Sequence, residues 1–253
     1  MSRSFLIYPD IFGGRIRAFF TGIVPGVDRK AVCGLLEIAD DALFMPIQRH
    51  TADIIALTGK QAAAPAGADG VITGMGGVAI GVKTADCVPV LLAEEKTGAI
   101  GAVHAGWRGT AKGILAAAIE KMAALYGSRP ADMKIAIGPS IGGCCYEVGM
   151  DVLREVRARC GGAGPGGADY FQIKGGKAYL DLAAANRLQA LAAGVKAENI
   201  WLSGMCTFCH PELFNSYRRD TRNGKMMHAG HEGGGRQGGF IMKNKNTENK
   251  IRA

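Results

Sequence analysis

No stretch of the chain approaches the roughly 18 uninterrupted apolar residues that a membrane-spanning helix requires, so a bilayer is not an expected partner. The opening segment MSRSFLIYPDIFGGRIRAFF lacks the apolar core and small-residue cleavage site of an export signal. Aromatic residues make up only 7% of the 253 residues, and no basic stripe interleaved with aromatics or recognisable binding module is present, which argues against nucleic acid. Repeats of solenoid length are missing too. Seven cysteines form an odd set without the spacing of a disulfide framework. They suit a reducing compartment, the cytoplasm, where thiols serve as ligands, nucleophiles or small buried hydrophobes.

What is present describes a folded protein. Hydrophobic residues reach 48% and charged residues 21%, well away from the composition of disorder. Part of the net charge of +8 lies in the terminal KNKNTENKIRA, which reads as a solvated, flexible basic tail from about residue 244 on one domain spanning residues 1–253. Anionic small substrates stay compatible with that charge. Alanine-rich or amphipathic periodicity predicts helices over residues 110–125, 151–159 and 182–193. Strands are predicted at 78–83, 88–93, 99–103, 134–137, 200–202 and 240–242, giving a mixed α/β chain. The runs AAAPAGAD and GGAGPGGAD read as loops.

Between the strands at 88–93 and 99–103 only EEKTG remains, far short of a parallel crossover, so the two must form an antiparallel hairpin. With Glu94 to Thr97 as a four-residue loop, Ala93 faces Gly98 and Cys87 faces His104. Directly opposed residues have Cβ atoms about 4.5–5.5 Å apart on one face, a spacing suited to two ligands of one metal. Zinc commonly takes histidine nitrogen and cysteine sulfur, and its catalytic sites combine three protein ligands with an open position. Among five histidines, His50, in the strand-like IQRHTAD, is the best third ligand. His228 and His231 lie in a glycine-rich stretch and read as surface loop residues. The plainer alternative makes Cys87 a core thiol and His104 a strand-end residue bonded to backbone. Asp86, one residue before Cys87, points to the opposite strand face and reads as a structural or supporting group.

The stretch HAGWRG adds an anion site to this picture. Its two glycines permit close backbone approach, a helix is expected to start near Thr110, and helix N-termini attract anions through free N–H groups. Arg108 would supply a fork of donors. Ser140, in the turn IGPSIGG, offers backbone amides to a phosphate or ribose hydroxyl, although a plain turn reads equally well. Arg218 in NSYRRD could reach a phosphate or form a structural ion pair.

Taken together, TADCVPVLL, HAGWRG, IGPSIGGCCYEVG and NSYRRD occur in the order seen in the YfiH-like family, long labelled multicopper polyphenol oxidase or laccase-domain proteins, which the chain resembles from about Ala18 to Met242. That resemblance implies a single-domain layered sandwich of central mixed β-sheets flanked by helices. It implies a purine nucleoside phosphorylase acting on adenosine, inosine or methylthioadenosine with phosphate, with adenosine deaminase activity beside it, and a His–Cys–His metal triad on His50, Cys87 and His104. Tyr146 and the neighbouring Glu147 would then lie near base and sugar. Two departures stand out: FFTGIVPGV lacks the arginine of the family pattern, and MMHAGHEGGG looks like an insertion. The oxidase label itself fails on arithmetic, because a multicopper centre draws on many more histidines than the five present. Copper could still take the place of zinc at a two-histidine, one-cysteine site.

Other readings compete. CTFCH, residues 206–210, matches the pattern of covalent haem attachment, a reaction of exported proteins and so disfavoured here; Cys206 and Cys209 read better as buried thiols or structural metal ligands. Cys87 and His104 could form a nucleophilic dyad in an amidase or other hydrolase of cell-wall precursors. A binding protein with a purely structural metal is the third alternative.

Overall fold

The computed structural model describes residues 4–59, 67–160, 170–224 and 235–245. His228, His231, most of the two low-complexity runs, all but the last residue of the MMHAGHEGGG stretch and the tail beyond residue 245 lie outside the described residues. Two mixed sheets stack face to face. One has six strands, ordered Ile200–Leu202, Lys134–Ile137, Val88–Glu94, Ala99–Ala105, Gly70–Thr73 and Ile54–Leu57; the other has five, ordered Leu6–Ile7, Ile16–Thr21, Gln237–Lys243, Ala79–Thr84 and Leu43–Phe44. Only the outer pairs Ile200–Leu202 with Lys134–Ile137, Ile54–Leu57 with Gly70–Thr73, and Leu43–Phe44 with Ala79–Thr84 are parallel. A small three-stranded sheet, Glu147–Val148, Lys177–Leu180 and Phe171–Lys174, stands apart.

Side-chain alternation explains the layering. Along Val88–Glu94, Val88, Val90 and Leu92 pack towards Leu115, Ile119 and Met122 of the helix Ile114–Tyr126, while Leu91 and Ala93 pack towards Phe20, Val82 and Ile241 of the second sheet. Both faces are buried, so the strand reads as a continuous apolar run. The outer face of the five-stranded sheet is covered by the helix Arg29–Leu36 through Val32, Cys33 and Leu36. That helix is capped at its start by Asp28, whose side chain accepts the Ala31 amide at 2.8 Å. The result is helix, sheet, sheet, helix, the expected layered sandwich.

The hairpin is present, with its register shifted from the expectation. Glu94 pairs with Ala99, and His104 therefore faces Pro89, not Cys87. The cause is the loop chemistry. Glu94 belongs to the ladder, its carboxylate accepts the amides of Lys96 and Thr97, its carbonyl accepts the Gly98 amide at 2.8 Å, and Gly98 takes a left-handed φ of 69°. The loop is thus Glu95 to Gly98. A shift of two preserves the face, so Cys87 still lies on the same side as His104.

The single helix expected over 110–125 is two helices. Trp107–Lys112 starts three residues earlier than expected with Gly106 as its cap, and a break at Gly113, φ 78°, precedes Ile114–Tyr126. Only glycine enters that conformation without strain, and here a Cβ would also strike the Arg159 guanidinium. The helices at 151–159 and 182–193 are found as Met150–Cys160 and Leu182–Ala192. No helix among the described residues is long and apolar enough to cross a membrane.

Candidate metal centre

His104 ends the long strand Ala99–Ala105 on the face turned to the second sheet, Cys87 immediately precedes Val88–Glu94, and His50 lies in a bend, not in the strand expected for it. The three side chains converge. Their ligand atoms all lie within 4.8 Å of one another; Cys87 Sγ is 3.8 Å from His50 Nε2, and the two imidazoles meet edge to face at 4.9 Å between centroids. Gly106 explains how they fit. A Cβ at that position would come within 3.0 Å of both Cys87 Sγ and the His50 ring.

Asp69, which the sequence reading did not single out, organises the group. Its carboxylate is fully buried and receives five hydrogen bonds. Oδ1 accepts His104 Nδ1–H at 2.7 Å and the His50 amide at 2.9 Å. Oδ2 accepts the amides of Arg49 at 3.0 Å and Thr51 at 2.6 Å, and the Thr51 hydroxyl at 3.0 Å. This cradle holds His50 at a left-handed φ of 59°. It also fixes the tautomer of His104, leaving Nε2 as the free ligand atom, the arrangement by which a carboxylate orients a metal-binding histidine. Burial alone would raise the Asp69 carboxyl, but the hydrogen bond from His104 and the backbone amides override it and hold the group below the ordinary carboxylate range. The two-nitrogen, one-sulfur donor set, its closeness and this carboxylate fit a divalent metal ion with one further position open.

The electrostatics of the three side chains point the same way. Burial opposes the Cys87 thiolate, yet the charge and hydrogen bond of His104, followed by those of His50, lower it to about 6; burial likewise opposes the His104 imidazolium, and Cys87 and Asp69 raise it to about 9. Between those values the pair stands as thiolate and imidazolium. An ordinary thiol titrates near 8.5 and reacts as its thiolate. Chelator-treated protein should therefore alkylate at Cys87 with a half-maximal rate near pH 6, measured by mass spectrometry of the Cys87 peptide, and added zinc should protect it. A midpoint between 8 and 9 would show that the histidines do not act on this sulfur.

Around the triad stand three of the other expected residues. Arg108, exposed, has its guanidinium 4.3 Å from the Trp107 ring centroid and makes no ion pair among the described residues. Tyr146 has its hydroxyl pushed up to about 12 by burial and by the charges of Cys87 and Asp86, against the opposing pull of Arg218 and Arg108. Arg218 lies over the Tyr146 ring at 5.0 Å and donates to the Glu147 carbonyl at 2.7 Å. Asp86 is the hinge behind them. Buried, at a φ of 88°, it accepts the Thr207 hydroxyl at 2.6 Å, the Ser216 hydroxyl at 3.0 Å and the Arg218 amide at 2.7 Å.

Two expected residues sit elsewhere. Thr110 is buried, its amide bonded to the Gly106 carbonyl and its hydroxyl accepting Asn186 Nδ2 at 2.9 Å, so the uncommitted amides of that helix belong to the residues before it. Ser140 has its amide bonded to the Met205 carbonyl, and it lines a separate cleft of about 360 Å³ with Gly142, Tyr170, Ser203 and Cys206.

Comparison with known proteins adds to this geometry. The family described as multi-copper polyphenol oxidoreductase laccase matches residues 27–230. The chain is 37% identical to purine nucleoside phosphorylase YlmD of Geobacillus stearothermophilus over 222 residues, 81% of this chain and 80% of that one. It is 35% identical to adenosine deaminase RL5, of unknown prokaryotic origin, over 204 residues and 74% of each chain. The crystal structure of YlmD from Geobacillus stearothermophilus superposes with a TM-score of 0.78 at 31% identity, covering 94% of both chains.

Proposed function

This chain belongs to the multi-copper polyphenol oxidoreductase laccase family, and from that premise and the site we infer that it is a purine nucleoside phosphorylase whose His50, Cys87 and His104 hold zinc. The observation that carries the reading is the convergence of those three ligand atoms, fixed by Asp69, beside an arginine that makes no ion pair among the described residues. Bound zinc would supply Lewis acidity at the open position. Zinc suffices because phosphorolysis moves no electrons between redox states; copper is the alternative occupant of this donor set.

The chain's own residues account for the rest. Arg108, stacked on Trp107, offers its guanidinium fork to inorganic phosphate, next to the uncommitted amides of the first helical turn. Tyr146, overlain by the Arg218 guanidinium that the Glu147 carbonyl holds, offers a ring and a fork of donors to base and ribose. A phosphate oxygen bonds to ribose C1′ as the C1′–N9 bond breaks; the purine leaves with the bonding pair and takes up a proton. His104, tied to Asp69 through Nδ1, keeps its other nitrogen aimed at the metal position and does not rotate into bulk water.

A second reaction at the same site, hydrolytic deamination of adenosine, is favoured by the likeness to adenosine deaminase RL5. Seven thiols, with no disulfide among the described residues, suit the cytoplasm as its location. Incubating purified protein with adenosine, inosine and methylthioadenosine, with and without phosphate, tests the assignment. Ribose 1-phosphate formed only with phosphate is the expected product, and adenosine converted to inosine and ammonia without phosphate would mark the second activity. Free ribose with no dependence on phosphate would refute phosphorolysis.

A further inference from the structure

A second group of metal-ligating side chains lies outside the triad. Cys144 and Cys145 follow the turn after the strand Lys134–Ile137, and Cys206 and Cys209 follow the neighbouring strand Ile200–Leu202. The two loops are joined by a parallel bridge between Ser140 and Cys206, with the Thr207 amide donating to the Ser140 carbonyl at 3.0 Å. All four sulfurs lie within 4.8 Å of one another; Cys144 Sγ is 3.8 Å and Cys145 Sγ 3.4 Å from Cys209 Sγ. Cys206 is thus partly exposed and Cys209 exposed, not the buried thiols that their sequence favoured.

We propose that Cys144, Cys145, Cys206 and Cys209 bind one zinc ion in a tetrahedral, four-thiolate structural site separate from the His50–Cys87–His104 centre. Tetrahedral zinc with Zn–S bonds near 2.3 Å separates its sulfurs by about 3.8 Å, a distance that Cys144 and Cys209 meet at 3.8 Å and that small rotamer changes bring within reach of the other pairs, all inside 4.8 Å. An iron–sulfur cluster interposes several irons and spreads its thiolates further. The Gly142 amide already donates to Cys206 Sγ at 3.2 Å, the support that a thiolate ligand takes from backbone. Gly142 also has to stay small, since a Cβ there would come within 3.3 Å of Cys144 Sγ.

His210 takes no part: it is partly exposed and faces Glu212 at 3.3 Å, so CTFCH supplies two sulfurs and no axial ligand. The ion would pin the loop that leads into Tyr146 to the loop whose Thr207 bonds Asp86, beside Cys87. It is a staple behind the candidate active site.

Zinc measured by plasma mass spectrometry on the full chain, purified under reducing conditions with zinc supplied, tests the proposal. Wild type should carry two zinc ions per chain, Cys209→Ser one, His50→Ala one, and the double variant none. After cobalt replacement, the intense thiolate-to-metal charge-transfer band of a tetrathiolate site should survive in His50→Ala and vanish in Cys209→Ser. Wild-type stoichiometry decides even where a variant fails to fold. A single zinc in wild type, iron in place of the second zinc, or a disulfide among these four cysteines with no second metal would each overturn the assignment.

Discussion

Asp69→Asn should lose about 3–5 kcal/mol of stability, the range for removing one partner of a buried charged pair, and bind zinc about 10–100-fold more weakly, as happens when a carboxylate behind a metal-binding histidine is lost. The substitution is nearly isosteric, so the loss comes from polarity. Every one of the five groups around the Asp69 oxygens donates, and three of them, one on Oδ1 and two on Oδ2, are backbone N–H groups that can only donate. Either orientation of the asparagine amide therefore sets N–H against N–H. Denaturant unfolding and competitive zinc titration measure the two effects. Because the Asp69 carboxyl is held below its ordinary value, its contribution is present above an unfolded-state pKa of about 3.9 and is lost as pH falls through the lower folded value. The gap between wild type and variant should accordingly persist down to about pH 4 and narrow only below it. A variant with wild-type stability and zinc affinity would remove Asp69 from the account.

Asp86→Ala is the second large effect, on the order of 3 kcal/mol. It strands two buried hydroxyls and the Arg218 amide, and it places alanine at a φ of 88°. Asp86→Asn should be milder by about 1 kcal/mol or more, for two separate reasons. Asparagine tolerates left-handed backbone, and the Thr207 hydroxyl can turn from donor to acceptor to meet the new NH2. In steady-state kinetics the alanine variant should lose kcat/KM for nucleoside, since Arg218 and Cys87 are both set by this residue. Equal effects of Ala and Asn would mean that neither backbone strain nor the reversible hydroxyl matters there.

The contrast between these two aspartates also shows what the sequence could reveal. Strands such as Lys134–Ile137 and Ile200–Leu202 are legible because they are short apolar runs bounded by polar residues and breakers, and the hairpin follows from a linker too short for anything else. The face shared by Cys87 and His104 was legible for the same reason, but the register depended on whether Glu94 counted as loop or ladder, a choice its own side chain makes. Asp69 carries no local signal: it closes an alanine- and glycine-rich run, and its five partners come from residues 49–51 and 104. The glycines of HAGWRG read as a turn and so set the expected helix start at Thr110, whereas Gly106 caps a helix that already includes Trp107. The four-cysteine cluster was hidden by the 60-odd residues between its halves, which only the pairing of Ser140 with Cys206 brings together.

Phosphorolysis by this chain is proposed to depend on a metal held by His50, Cys87 and His104. Inosine and phosphate supplied to protein stripped by chelator, then reloaded with zinc, and to Cys87→Ala treated in parallel, test it most directly through the rate of ribose 1-phosphate formation. Stripping should abolish the product and zinc should restore it in wild type, while Cys87→Ala, folded by circular dichroism, stays inactive under both conditions. Ribose 1-phosphate formed at the wild-type rate by Cys87→Ala, or by wild type with the triad free of metal, would contradict the account.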